Sequence, residues 1–198
     1  GALLADRDWV VLLNNAIVCA HDFVGAQLDA AERLGLQVVS PALVEFALDY
    51  DLATFTAEFL ARMGDTLRSG WFHGVCFSVR RTVFETLGFP DTDRLLFGRE
   101  DAEFRARCLR HGLAVGTVGA ALIHHYGSIT QNAMRKEQRI AKFGDHRYFY
   151  AKLGLGWWGR QRAKFERKAQ AARWVRDELA QHGMTLHMVH RDGRVEYR

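Results

Sequence analysis

Five large apolar residues, Trp9 to Leu13, run directly into Asn14 and Asn15. The run is too short to cross a membrane and has the length of a strand buried on both faces. A strand that ends in polar residues delivers them to the carboxyl edge of a sheet, where open α/β folds bind ligands. Beyond it the period changes. Phe23, Leu28, Ala31 and Leu34 recur at helical spacing, with Asp22 ahead as N-cap and Gly35 behind as a stop. "LQVVSP" reads as a short strand closed by Pro41. Val44 to Leu67 is helical in propensity but has no clean apolar stripe. "WFHGVCFSV", Trp71 to Val79, reads as a strand interrupted by Gly74, and a glycine inside a strand marks a bulge or the close approach of a ligand.

Two helices come next. "RRTVFETLG" ends at Gly88, and "REDAEFRARCLRHG" carries acids in its first turn, arginines later and Gly112 as stop, the sense the helix dipole favours. "LAVGTV" and "AALIHH" are brief strand candidates. From Thr130 the pattern is mostly helical, until "TLHMVHRDGRVEYR" places Asp192 and Gly193 between alternating residues, as a hairpin turn does.

Composition narrows the class. With 198 residues, 48% of them hydrophobic and 12% aromatic, the chain can bury one good core. Two prolines and no biased tract argue against a disordered or fibrous protein. Cys19, Cys76 and Cys108 are odd in number and stand in unrelated contexts, which suits a reducing compartment better than a disulfide or zinc framework. Without a signal-peptide pattern or a long apolar run, the expectation is a soluble, cytoplasmic protein. The net charge of +4 is concentrated between Arg135 and Arg198. Such a face suits phosphate, nucleic acid or an anionic membrane, and equally a plain solvated helix surface. Nucleic acid is the weakest of these, because neither an aromatic-basic RNA motif nor a helix-turn-helix is recognisable.

The order of motifs also resembles a known family. LNN at a strand end, a strand carrying Gly74, the helix up to Gly88 followed by "FPDTDRLLFGREDAEFRARCLRHG", and "ALIHHYGSIT" look like the second half of a family 2 glycosyltransferase of the bacterial cell-surface polysaccharide type. "AKFGDHRYFYAKLG" resembles the helical segment after the catalytic domain in the rhamnosyltransferase-like branch. The resemblance covers Asp8 to Gly154. It implies an α/β, GT-A-like mixed sheet flanked by helices, with residues 1–130 as a partial catalytic region and 131–198 as a helical, basic extension with a terminal hairpin. Family members hold the nucleoside base with a segment ahead of the LNN strand, so that nucleotide-binding half is expected to be missing here.

The implied activity is inverting transfer of a hexosyl or deoxyhexosyl group from a nucleotide-diphospho-sugar to a saccharide or lipid-linked acceptor in cell-envelope polysaccharide synthesis. Such a transfer needs a base for the acceptor hydroxyl. The resemblance gives that role to Asp101, with Glu100 beside it, whereas the pair taken alone reads first as helix caps. It places Asn14, Asn15 and His124 at the donor. A divalent cation, Mg2+ or Mn2+, is expected near the diphosphate, with His124 close by. Its principal ligand, an aspartate after LNN, is replaced by Ala16, which has no ligand oxygen. The alternative is therefore a catalytically impaired, transferase-fold binding or scaffold protein. Trp71, His73 and Gly74 fall where an acceptor sugar is expected, and Trp71 reads also as core. In the tail, Trp157 and Trp158 precede Arg160, Arg162, Lys164, Arg167 and Lys168, a pairing that suits peripheral contact with the inner membrane; alternatively Trp157, Trp158 and Phe165 pack the tail onto the catalytic region.

Overall fold

The computed structural model describes residues 4–127, 146–191 and 193–198. It is a mixed α/β fold. Among the described residues the strands are β1 (Trp9–Leu13), β2 (Ile17–Cys19), β3 (Val38–Phe46), β4 (Leu67–Ser69), β5 (Cys76–Arg80), β6 (Val115–His125), β7 (His187–Arg191) and β8 (Arg194–Tyr197). The helices are α1 (Phe23–Leu34), α2 (Leu52–Met63), α3 (Arg81–Leu87), α4 (Glu100–Arg110), α5 (His146–Lys152) and α6 (Trp157–His182).

Two long strands organise the sheet. β3 and β6 pair in parallel, and each changes partner along its outer edge. β3 pairs antiparallel with β5 at Val38–Val39 and then in parallel with β7 from Leu43 to Phe46. β6 meets β4 at Gly116–Val118 and β2 at Ile123–His125. The partner change explains why Pro41 does not close β3, as the sequence suggested. It lies between the stretch bonded to β5 and the stretch bonded to β7, where no N–H is required, and the register with β6 shifts at the Pro41/Ala42 step.

Other boundaries move for equally local reasons. Val44–Phe46 belongs to β3, so α2 starts only at Leu52, where the Asp51 side chain accepts from the Thr54 N–H at 2.8 Å. Asp22 precedes α1 but sits in the left-handed region with φ 55° and makes no capping hydrogen bond through its side chain. Trp71–Val75 is irregular, and the strand begins at Cys76. The two brief strands expected near 113–125 are the single strand β6, whose residues are almost all buried. Residues 130–145 of the expected tail helix, and Asp192 of the hairpin turn, lie outside the described residues; β7 and β8 do pair antiparallel.

Apolar clusters cover both sides of the sheet. Phe72, Phe77, Val83, Phe84 and Phe104 pack with Val38 under α3 and α4, and Phe59, Met63, Leu122 and Met188 pack with Ala42 and Val44 under α2. The alternate β3 residues Val39 and Leu43 point the other way, toward Ala30, Ala31 and Phe23 of α1. The C-terminal segment is bolted on by a buried ion pair. Arg68 donates to both carboxylate oxygens of Glu178, at 2.6 and 2.8 Å, and Glu178 also accepts from the Leu186 N–H. No helix among the described residues is long and apolar enough to cross a membrane.

Candidate functional site

The ends of β1, β3 and β6 and the start of α4 surround a cleft of about 440 Å³. Asn14, Ala16, Glu45, Gly74, Glu100, Asp101 and His125 all line it. The first two arrive by a local turn. The Asn14 N–H donates to the Val75 carbonyl at 2.9 Å, and the Asn14 side-chain oxygen accepts from the Ala16 N–H at 3.2 Å. The Ala16 carbonyl accepts in turn from the Tyr126 N–H, which fixes the loop against the end of β6. Asn15 is exposed and is not among the residues lining the cleft.

The acidic pair divides its work. The Glu100 carboxylate accepts the Arg99 N–H at 2.7 Å and so satisfies a free donor at the start of α4. Asp101 makes no side-chain hydrogen bond with the described residues and lies directly beside Gly74 in the cleft lining. A Cβ at residue 74 would fall 2.8 Å from the Asp101 carboxylate carbon, so the glycine is what leaves the acid its room.

A third group escaped the sequence. Glu45 accepts from His125 Nδ1 at 3.3 Å and from His187 Nε2 at 2.8 Å. Burial works to raise the Glu45 carboxyl, and the two imidazole hydrogen bonds outweigh it, holding the acid well below the usual carboxylate range. With its Nδ1 proton given to Glu45, His125 presents Nε2 as an acceptor when neutral and as a donor when charged. That atom is buried and has no hydrogen-bond partner among the described residues. Two signals for this group were available. Glu45 is the sole charged residue in the otherwise apolar run of β3, and strand alternation makes the two histidines point to opposite faces.

That alternation overturns the expected place of His124. It lies on the α2 side, fully buried, where Nδ1 accepts from the Tyr50 hydroxyl at 2.8 Å and Nε2 donates to the Phe46 carbonyl at 3.3 Å. Burial lowers its pKa. Its neighbour His125 occupies the cleft instead. His73 is likewise drawn away from any acceptor. Its Nε2 donates to the Pro41 carbonyl at 2.8 Å, filling the gap in the β3 edge, and burial pushes its pKa down to about 4.

Trp71 is outside the cleft too. Its ring covers the Arg105 guanidinium at 3.7 Å and meets Trp174 at 6.2 Å between centroids, in a second cavity of about 530 Å³ between α4, α5 and α6. Arg105 also donates to the Phe72 carbonyl, and burial pushes its pKa down to about 10 against the opposing pull of the Asp101 charge.

The chemistry available is that of carboxylates, an amide and an imidazole. The thiols are unsuited to nucleophilic work, since burial pushes Cys76 up to about 12 and Cys108 to about 11. Ala16 offers a methyl group where a divalent ion would need an oxygen. Among the described residues no group of three His, Cys, Asp or Glu side chains is placed to share one ion. The donor set of the described residues does not fit a metal.

No protein-family model matches the chain, and no curated protein does.

Proposed function

We propose that this chain carries the acceptor-activating part of an inverting, GT-A-like glycosyltransferase, which moves a sugar from a nucleotide-diphospho-sugar to a saccharide or lipid-linked acceptor. The observation that carries the reading is the pairing of Asp101 with Gly74. A carboxylate without a hydrogen bond to the described residues, at the start of a helix, lines a cleft where the neighbouring residue is bare backbone and leaves it room. Asp101 takes the proton of an acceptor hydroxyl while that oxygen bonds to the anomeric carbon, and the bond from that carbon to the diphosphate oxygen breaks. The departing diphosphate carries the negative charge away. The Asn14 amide, in the same cleft, is able to donate to it, and His125 is able to do so through Nε2 in its protonated form.

Ala16 favours a second reading, a transferase-like fold that binds its ligands without turnover, because its methyl group offers no ligand oxygen for a cation that would balance a departing diphosphate.

One experiment separates the two. Purified protein is offered a panel of nucleotide-diphospho-sugars with saccharide acceptors, and release of nucleoside diphosphate is followed for the unmodified chain and for Asp101→Asn. The transferase reading expects release that falls by roughly two to four orders of magnitude in the variant. Binding without release supports the second reading, and release undiminished by Asp101→Asn removes Asp101 from the chemistry.

A further inference from the structure

We infer that the outer face of α6 is a docking surface for an anionic lipid bilayer, independently of any chemistry in the cleft. α6 holds the fold through one side only. Ala163, Arg167, Gln170 and Trp174 line the cavity shared with α4 and α5, and Glu178 is the single buried residue of the helix. The N-terminal part of the opposite side carries large aromatics where a solvated helix would be polar. Trp157 is 59% exposed, Trp158 79% and Phe165 73%. Trp158 and Phe165 are seven residues apart, two turns along one stripe, and Trp157 meets Trp158 at 4.3 Å between ring centroids. The alternative in which these aromatics pack the tail onto the sheet is therefore excluded by their exposure.

The charge around this stripe selects the occupant. Between Trp157 and Lys168 stand Arg160, Arg162, Lys164, Arg167 and Lys168 against the one acid Glu166, which pairs with Arg162 at 2.7 Å. By helical geometry Arg162 and Lys168 flank the Trp158–Phe165 stripe, while Arg160 and Lys164 turn toward the Tyr150 ring. Exposed indoles beside cationic side chains match the headgroup layer of a bilayer, where the ring sits in the interface and the cation meets phosphate. A protein partner with an acidic rim is the competing class. The bilayer is favoured because two adjacent tryptophans and a phenylalanine stand out from the helix beside cationic side chains and line neither the cleft nor the second cavity.

The test is flotation of the whole chain with vesicles of phosphatidylcholine alone and of phosphatidylcholine mixed with phosphatidylglycerol, at low and at physiological salt. The expected result is at least about tenfold more protein on the anionic vesicles at low salt, weakened by added salt. Trp158→Ser with Phe165→Ser is expected to remove the binding. Arg162→Glu with Lys168→Glu is expected to lower it about tenfold or more. All four side chains are exposed, so circular dichroism and the thermal midpoint should stay those of the parent. Failure to float with anionic vesicles at low salt, or equal flotation of either double variant, overturns the proposal. So does a concentration-dependent dimer, seen by sedimentation without vesicles and abolished by Trp158→Ser with Phe165→Ser, which assigns the stripe to a second copy of the chain.

Discussion

Gly74 and Asp101 stand so close in the cleft lining that a methyl group on the first would touch the second. The ideal Cβ at residue 74 lies 2.8 Å from the Cβ, Cγ and one carboxylate oxygen of Asp101. Relief cannot come from the tip of a long side chain, because the aspartate's own Cβ is among the atoms met. Gly74→Ala is therefore expected to swing the carboxylate away from its present direction. Crowding of this kind costs about 1–3 kcal/mol, whereas a misplaced catalytic group loses up to about a hundredfold in rate. Measured together, turnover should fall steeply while the urea midpoint moves modestly. A variant as active as the parent would show that Asp101 needs no such clearance.

Ala16 makes a prediction by gain. Its carbonyl is tied to Tyr126 and its N–H to Asn14, so the loop is held and only the side chain would change. Ala16→Asp adds a carboxylate to a cleft already lined by Glu45, Glu100 and Asp101. Hard oxygen ligands suit Mn2+ and Mg2+. The variant is expected to bind Mn2+ in the presence of a nucleoside diphosphate, as read by calorimetry, where the parent binds less. Equal heats for the two proteins would refute the idea that this position lacks a ligand.

Much of this arrangement was legible in the residues, and the losses have a common cause. α1, α3 and α4 follow their apolar periods and their glycine stops, because each is decided by its own neighbours in sequence, whereas β1 forms where expected but as an edge strand paired with β5 alone, with Val11 and Leu13 exposed rather than buried on both faces. Pro41 and the 113–125 stretch were misread because a strand's tolerance for proline, or for a bulge, depends on which strand lies beside it. That information is non-local. The site divides along the same line. Asn14, Ala16, Gly74, Glu100 and Asp101 meet as their elements suggested, whereas Glu45 and His187 are 142 positions apart and are joined only by the parallel pairing of β3 with β7. The exchange of His124 for His125 turns on one residue of strand register.

The buried pair Arg68–Glu178 predicts how the C-terminal segment is held. Side-chain exposures of 5% and 7% leave both charges without water, and Glu178 also satisfies the Leu186 N–H. Removing one partner strands the other. Glu178→Ala is expected to destabilise the protein by about 3–5 kcal/mol, while Arg68→Met combined with Glu178→Leu should recover part of that loss and stop about 1–3 kcal/mol short of the parent, because the Leu186 N–H is left without its acceptor. Chemical denaturation of the three proteins is the check. A Glu178→Ala variant within about 1 kcal/mol of the parent would mean that the pair is not desolvated in solution.

His73 sets the response to acid. Burial holds its imidazole neutral, with a pKa of about 4 against an ordinary value of 6.5, and the nearby His187 and His125 oppose its charging while Glu45 favours it. Between those two values the unfolded chain binds a proton at this residue and the folded chain does not. Stability contributed by neutral His73 is thus complete above pH 6.5, declines as pH falls from 6.5 toward 4, and levels off below that. His124, whose pKa is also lowered by burial, adds in the same direction. Glu45 acts in a separate, more acidic window, since its depressed carboxyl adds stability above its unfolded value of 4.5 and loses it only on further acidification. Urea midpoints at pH 7 and pH 5 therefore isolate the histidines. His73→Gln keeps an amide donor for the Pro41 carbonyl but cannot titrate, so the drop between the two pH values should shrink in the variant. If parent and variant lose the same stability, His73 is charged in the folded protein, and its hydrogen bond to Pro41 must be made by an imidazolium.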